Sequence, residues 1–158
     1  MDMNLSAPRN PSSMASVVHA VDALYRRLDW LSPIGFLLLR LWVAWQFFKS
    51  GLTKIPIENA IFLFENEYHV PLLSPTVAAY LATASELGLS ALLIVGLAGR
   101  FSAAGLFILN IVAVISYADA SLNDHLPWGL ILLLFVLAGA GKLSIDYLIA
   151  RFLVHKTD

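Results

Sequence analysis

Three polar residues stand inside long apolar runs, where an ionisable or amide side chain is costly and marks either a function or a structural pairing. They are Arg40 in PIGFLLLRLWVAWQFFKSGL, Glu86 in TVAAYLATASELGLSALLIVGL and Asn110 in FSAAGLFILNIVAVISYA. Counted at 1.5 Å per residue from one membrane edge, Arg40 lies about 10 Å in, Glu86 about 16 Å and Asn110 about 14 Å. An arginine side chain spans such a difference, and an unpaired Glu86 in low dielectric would protonate, so the expectation is an Arg40–Glu86 ion pair with Asn110 nearby. Such a cluster can contact a ligand headgroup or move protons. The competing reading is a buried clasp that fixes helix register.

A second group, Glu65, Glu67, His69, Asp124 and His125, falls between or at the edges of the apolar runs. Glu67, His69, Asp124 and His125 are candidate ligands for a divalent cation, but none of their spacings is a metal motif, and loop solvation or headgroup contact is the favoured reading. The chain has no cysteine, which excludes a thiolate nucleophile, an iron–sulfur cluster or a disulfide of its own. No catalytic residue is assigned, and a redox role would run through a bound carrier or a partner.

The elements that must position these residues follow from composition and period. Of 158 residues, 59% are hydrophobic and 13% charged, a membrane composition. The net charge is −1 with scattered basic residues, which excludes nucleic acid as a partner. Residues 1–16 read as a disordered tail. Val17, Val21, Leu24, Leu28 and Leu31 make one helical face, so 17–31 reads as an interfacial amphipathic helix. Ser32 and Pro33 then look like the capped start of a new helix.

Residues 32–142 read as an all-α integral membrane bundle of four spans: the helix from Pro33, then Thr76 to Leu97, Phe101 to Ala118, and about Leu126 to Ala140. Between the first two, Ile57, Ala60, Ile61 and Phe64 share the face of a short surface helix. Residues 143–158 read as a second interfacial helix, capped by Ser144, and a tail. In the second span Ala78, Ala82, Ser85 and Gly88 permit close helix approach. Arg40, Ala44, Phe47, Gly51 and Lys54 recur at steps of four and three, a stripe facing neighbouring helices.

Arg9, Arg26, Arg27, Arg100, Lys142, Arg151 and Lys156 flank one side of the spans, against Lys49 and Lys54 on the other. The positive-inside rule makes both termini cytoplasmic and gives the outer face an acidic rim with Glu58, Glu65, Glu67, Asp119 and Asp124.

Three stretches resemble the DoxX family of small bacterial membrane proteins: LLRLWVAWQFFKSGLTKI, ASELGLSALLIVGLAGRFSAAGL and GAGKLSIDYL. They are similar to the family's stripe (Arg40, Phe47, Gly51, Lys54), its Glu followed by a Gly-Leu-x-x-Arg turn (Glu86, Gly96, Leu97, Arg100), and its closing motif (Gly139, Gly141, Leu143, Ser144, Asp146). Ala44 and Ala140 depart from the family's usual glycine and proline. ENEYHVPLLSPTVAAYLATASE and YADASLNDHLPW further resemble members from bufferin-type, metal-stress-linked clusters. The resemblance implies a four-helix inner-membrane bundle and roles in quinone-coupled sulfur oxidation or oxidative-stress complexes.

The expected function is therefore a redox-associated inner-membrane subunit, not catalytic by itself, that binds quinone and works with other membrane or periplasmic proteins. The alternatives are a non-enzymatic anchor or assembly partner in metal or oxidative stress, and a small transporter, which four short spans would form only as a homo-oligomer.

Overall fold

The computed structural model describes residues 11–117 and 120–154, and among these the secondary structure is helical apart from one isolated antiparallel bridge between Tyr68 and Tyr117. The chain divides into two units, residues 1–33 and 34–158. In the first, the described residues are helical from Pro11, so the tail expected over 1–16 is helical over its last six residues; 1–10 lie outside the described residues. Val17, Val21, Leu24, Leu28 and Leu31 are exposed, and Arg26 pairs with Asp22 one turn away at 2.8 Å.

Helix α1 spans Pro11–Thr53 with Pro33 inside it, so the Ser32–Pro33 pair does not start a new helix. A proline removes one i→i−4 bond without forbidding helical φ, and spanning helices tolerate it. In the second unit follow α2 (Ile57–Asn66), α3 (Pro75–Val95), α4 (Gly99–Ser116), α5 (Leu122–Ala138) and α6 (Ile145–Val154). α1, α3 and α4 are long and apolar enough to cross a membrane. α5 is apolar but has 17 residues, about 26 Å at the helical rise, and completes the bundle as a short span.

Four helices share one core. Val43, Ala44 and Phe47 of α1 meet Leu93 of α3, Ala103 and Leu106 of α4, and Leu132 and Phe135 of α5. The Arg40 stripe thus faces inward, as its period requires. Outside, Leu38, Trp42, Leu81, Ile108, Ile111, Leu130 and Leu137 are exposed, an apolar coat that suits hydrocarbon and not water.

Helix α2 packs separately, burying Ala60 and Phe64 against Ala78 and Ala79 in the first turns of α3. This is the face that its apolar spacing predicts. The small-residue stripe of α3 is only partly used: a Cβ on Gly88 would meet nothing within 4 Å. Close approach occurs at Gly51, where a Cβ would lie 2.8 Å from Leu87, and at Gly105, 2.5 Å from Leu89.

Candidate functional site

The buried polar residues fall into three groups. At the α3–α4 turn, Gly96 takes the left-handed conformation that ends α3, with φ +72°, and Leu97 N–H bonds back to Leu92. Arg40 reaches this end of the bundle. Its guanidinium donates to the carbonyls of Ala140 (2.5 Å), Leu143 (2.8 Å) and Ile94 (3.4 Å). Ala140 and Leu143 belong to the α5–α6 turn, whose carbonyls have no helical donor.

Asp146 completes the clasp. Its two oxygens accept from the backbone N–H of Ala98 (2.8 Å) and Gly99 (2.7 Å), at the N-terminus of α4, where a carboxylate is favoured. Ser144 caps α6 by accepting from Tyr147 N–H at 3.2 Å. A Cβ on Gly96 would strike Ser144 and Arg40, and one on Gly141 would press Phe36. Arg100 is exposed and lies over Gly139.

The Arg40–Glu86 pair that the depth count predicts therefore does not form. Glu86 pairs with Lys54, whose Nζ lies 2.7 and 2.9 Å from the two carboxylate oxygens. Ser50, one turn before Lys54, accepts from Nζ at 2.9 Å and donates to Glu86 at 3.2 Å. The side chains are 6% and 10% exposed, so the ions are held out of water and compensate each other. Height along an axis is only one coordinate. Lys54, counted above with the outer basic residues, shares the inward stripe, and that period is the signal that places it here.

Asn110 also finds a different partner. Its amide donates to the His125 carbonyl at 3.0 Å, and its oxygen meets His125 Nδ1 at 2.8 Å. Gly129, one turn after His125, leaves room for the amide: a Cβ there would lie 3.1 Å from it. Trp128 packs edge-on against the imidazole at 5.0 Å. Among the described residues no three His, Asp or Glu side chains gather as a metal site, and Glu65, Glu67, His69 and Asp124 are exposed.

Between the Lys54–Glu86 pair and His125 lies a cavity of about 460 Å³, lined largely by apolar side chains such as Phe47, Leu89, Leu109 and Val112 and open to the apolar surface at Leu81 and Ile108. That volume suits a small organic ligand. Three of its lining residues form a ring stack, Phe64 on Tyr68 and Tyr68 on Tyr117, each at 4.9 Å. Tyr68 lies between α2 and α3, and burial, then the charge of Glu86, pushes its phenol above the ordinary value. The buried Ser116 hydroxyl, also on the lining, has no hydrogen-bond partner among the described residues. An unpaired buried hydroxyl costs free energy, and a bound molecule or water would relieve it.

Fold and site together define a multi-helix membrane protein with a polar-ended apolar cavity. The DoxX family model matches residues 35–118. An uncharacterized protein of Haemophilus influenzae (strain ATCC 51907 / DSM 11121 / KW20 / Rd) is 38% identical over 130 residues, covering 76% of this chain and 86% of the relative. No solved structure matches. The chain belongs to the DoxX family.

Proposed function

We propose that this protein is a redox-associated membrane subunit that binds a quinone-class carrier in the α1–α3–α4–α5 cavity and acts with partner proteins. The observation that carries the reading is the buried Lys54–Glu86 pair on the wall of an otherwise apolar cavity. An apolar pair of similar volume would serve stability as well or better, so retention of two ions beside empty space favours a ligand with a polar head and a hydrophobic body. The cluster first expected at Arg40 is thereby moved: Arg40 is spent on backbone carbonyls, and Glu86 keeps its candidacy with a new partner.

The test is solvent extraction of protein purified in native lipid, with quinone and quinol together measured per chain. About one carrier per chain, in either redox state, is expected for the wild type, with loss in a folded Ala82→Phe variant that fills the cavity. Its absence from the wild type overturns the reading.

The same proposal places the chain in a bacterial inner membrane with both termini cytoplasmic. Burial of Lys54 against Glu86 leaves Lys49 as the only unpaired cation counted on the outer side, which sharpens the charge asymmetry. The exposed apolar face of α6, with Leu148, Phe152 and Leu153, suits the cytoplasmic interface. Because the chain lacks cysteine, single cysteines at Ser121 and Thr157 report the sidedness directly. A membrane-impermeant maleimide should label the first and spare the second in intact cells, and the reverse would refute the orientation.

A further inference from the structure

The polar groups around the cavity do not offer hydrogen bonds equally in both directions. Lys54 has three N–H donors, and the two Glu86 oxygens and Ser50 Oγ occupy its surroundings at 2.7 to 2.9 Å. No ammonium proton is left for a ligand. The Ser50 hydroxyl proton goes to Glu86.

His125 is fixed by a second argument. The His125 backbone carbonyl can only accept, so the Asn110 atom facing it must be the amide nitrogen. The other Asn110 atom is then the oxygen, which can only accept, so His125 Nδ1 carries a proton. In the neutral ring the lone pair therefore sits on Nε2. His125 lines the cavity, and among the described residues only its Nδ1 has a side-chain hydrogen-bond partner, which leaves Nε2 for a ligand. Ser85, Ser116, Tyr68 and Tyr117 carry hydroxyls that serve in either direction, and the Gln46 amide, which donates to the Trp42 carbonyl, offers a donor and an acceptor together, so none of these sets the sign. The lining groups whose sign is fixed, His125 Nε2 and the remaining lone pairs of Glu86, are acceptors.

We propose that the cavity selects a ligand whose head donates a hydrogen bond, a phenol or quinol hydroxyl, and that His125 Nε2 receives it while Asn110 holds the ring in the accepting tautomer. The assignment rests on the cavity reading above and deepens it: an oxidised quinone carbonyl needs a donor, whereas the quinol supplies one. Asn110 acts as a positioning residue, since it reaches the ligand only through the imidazole.

The experiment compares 4-hexylphenol with its methyl ether, 4-hexylanisole, binding to the full chain in nanodiscs. The two differ by the donor proton, and their unequal partitioning into lipid cancels when variant is compared with wild type. The wild type should prefer the phenol about tenfold. His125→Phe should remove the preference while retaining ether binding. Asn110→Asp, which still accepts from Nδ1, should keep most of it, and Asn110→Leu should lose it.

Histidine ¹⁵N chemical shifts, assigned against the His125 variant, should show Nδ1 protonated and Nε2 bare in the unliganded wild type. Equal binding of phenol and ether, a preference that survives His125→Phe, or a protonated neutral Nε2 would overturn the inference and leave the cavity reading standing. Binding of neither probe would bring down both.

Discussion

Lys54, the first residue past α1, and Glu86 of α3 face each other with Nζ and Oε2 2.7 Å apart, and Ser50 bonds to both partners. Removing one ion leaves the other buried and uncompensated, which costs about 3–5 kcal/mol, whereas removing both as an apolar pair is nearly neutral. Lys54→Met and Glu86→Leu should each lower the apparent melting temperature sharply in detergent, and the double variant should recover most of the loss. Additive losses would show that the pair is not coupled.

Two glycines on α3 and its cap should respond in opposite directions to alanine. Gly96 sits at φ +72°, and its Cβ would lie 2.6 Å from Ser144 Cβ and 2.7 Å from Arg40. Gly96→Ala adds left-handed strain of about 1 kcal/mol to a collision with the clasp, so it should be destabilising by more than that. Gly88 is helical and faces open space. Gly88→Ala should stabilise by about 0.5–1 kcal/mol, read as a raised melting temperature. A neutral Gly96→Ala would contradict the crowded turn.

Raising the pH should test the ring stack between α2 and α4. Tyr68 is pushed above the ordinary tyrosine value by burial, then by Glu86, Tyr117 and Glu67. A raised pKa in the folded state means that folding favours the neutral phenol. Its contribution is whole below the unfolded value of about 10 and is lost as pH rises through the folded value. Melting temperature should therefore fall from pH 9 to pH 11, and Tyr68→Phe should reduce the slope. An unchanged slope would remove Tyr68 as its source.

The parts of this architecture that depend on local sequence were legible. The Gly-Leu-x-x-Arg turn, the Ser144 cap and the inward stripe of α1 each follow from a few neighbouring residues, and the structure has them where the spacing places them. Partner choice between helices was not legible. Period fixes which way Arg40 and Glu86 face but not which carbonyl or cation comes from across the bundle, so depth alone matches Arg40 with the wrong acceptor. Sequence places His125 on the rim, and nothing near it announces Asn110, fifteen positions earlier. Gly129, one turn beyond His125, was the available hint, a small residue where a side chain had to fit.

Asp146 supplies the last prediction, which separates the two ends of the motif. Its carboxylate receives two backbone N–H groups at the start of α4, and Arg40, with which it interacts favourably, is itself held by carbonyls of the α5–α6 turn. Asp146→Asn keeps the shape, loses the charge at the helix N-terminus and turns one acceptor into a donor facing an N–H. The expected cost is about 1–2 kcal/mol, as for a lost N-terminal cap. Because the contact lies at the α3–α4 turn and not at the cavity, the phenol-to-ether preference should stay as in the wild type while the melting temperature falls. A variant that melts normally but loses the preference would mean that the clasp and the cavity are one unit, contrary to the separate hydrogen-bond networks of Arg40 and Glu86.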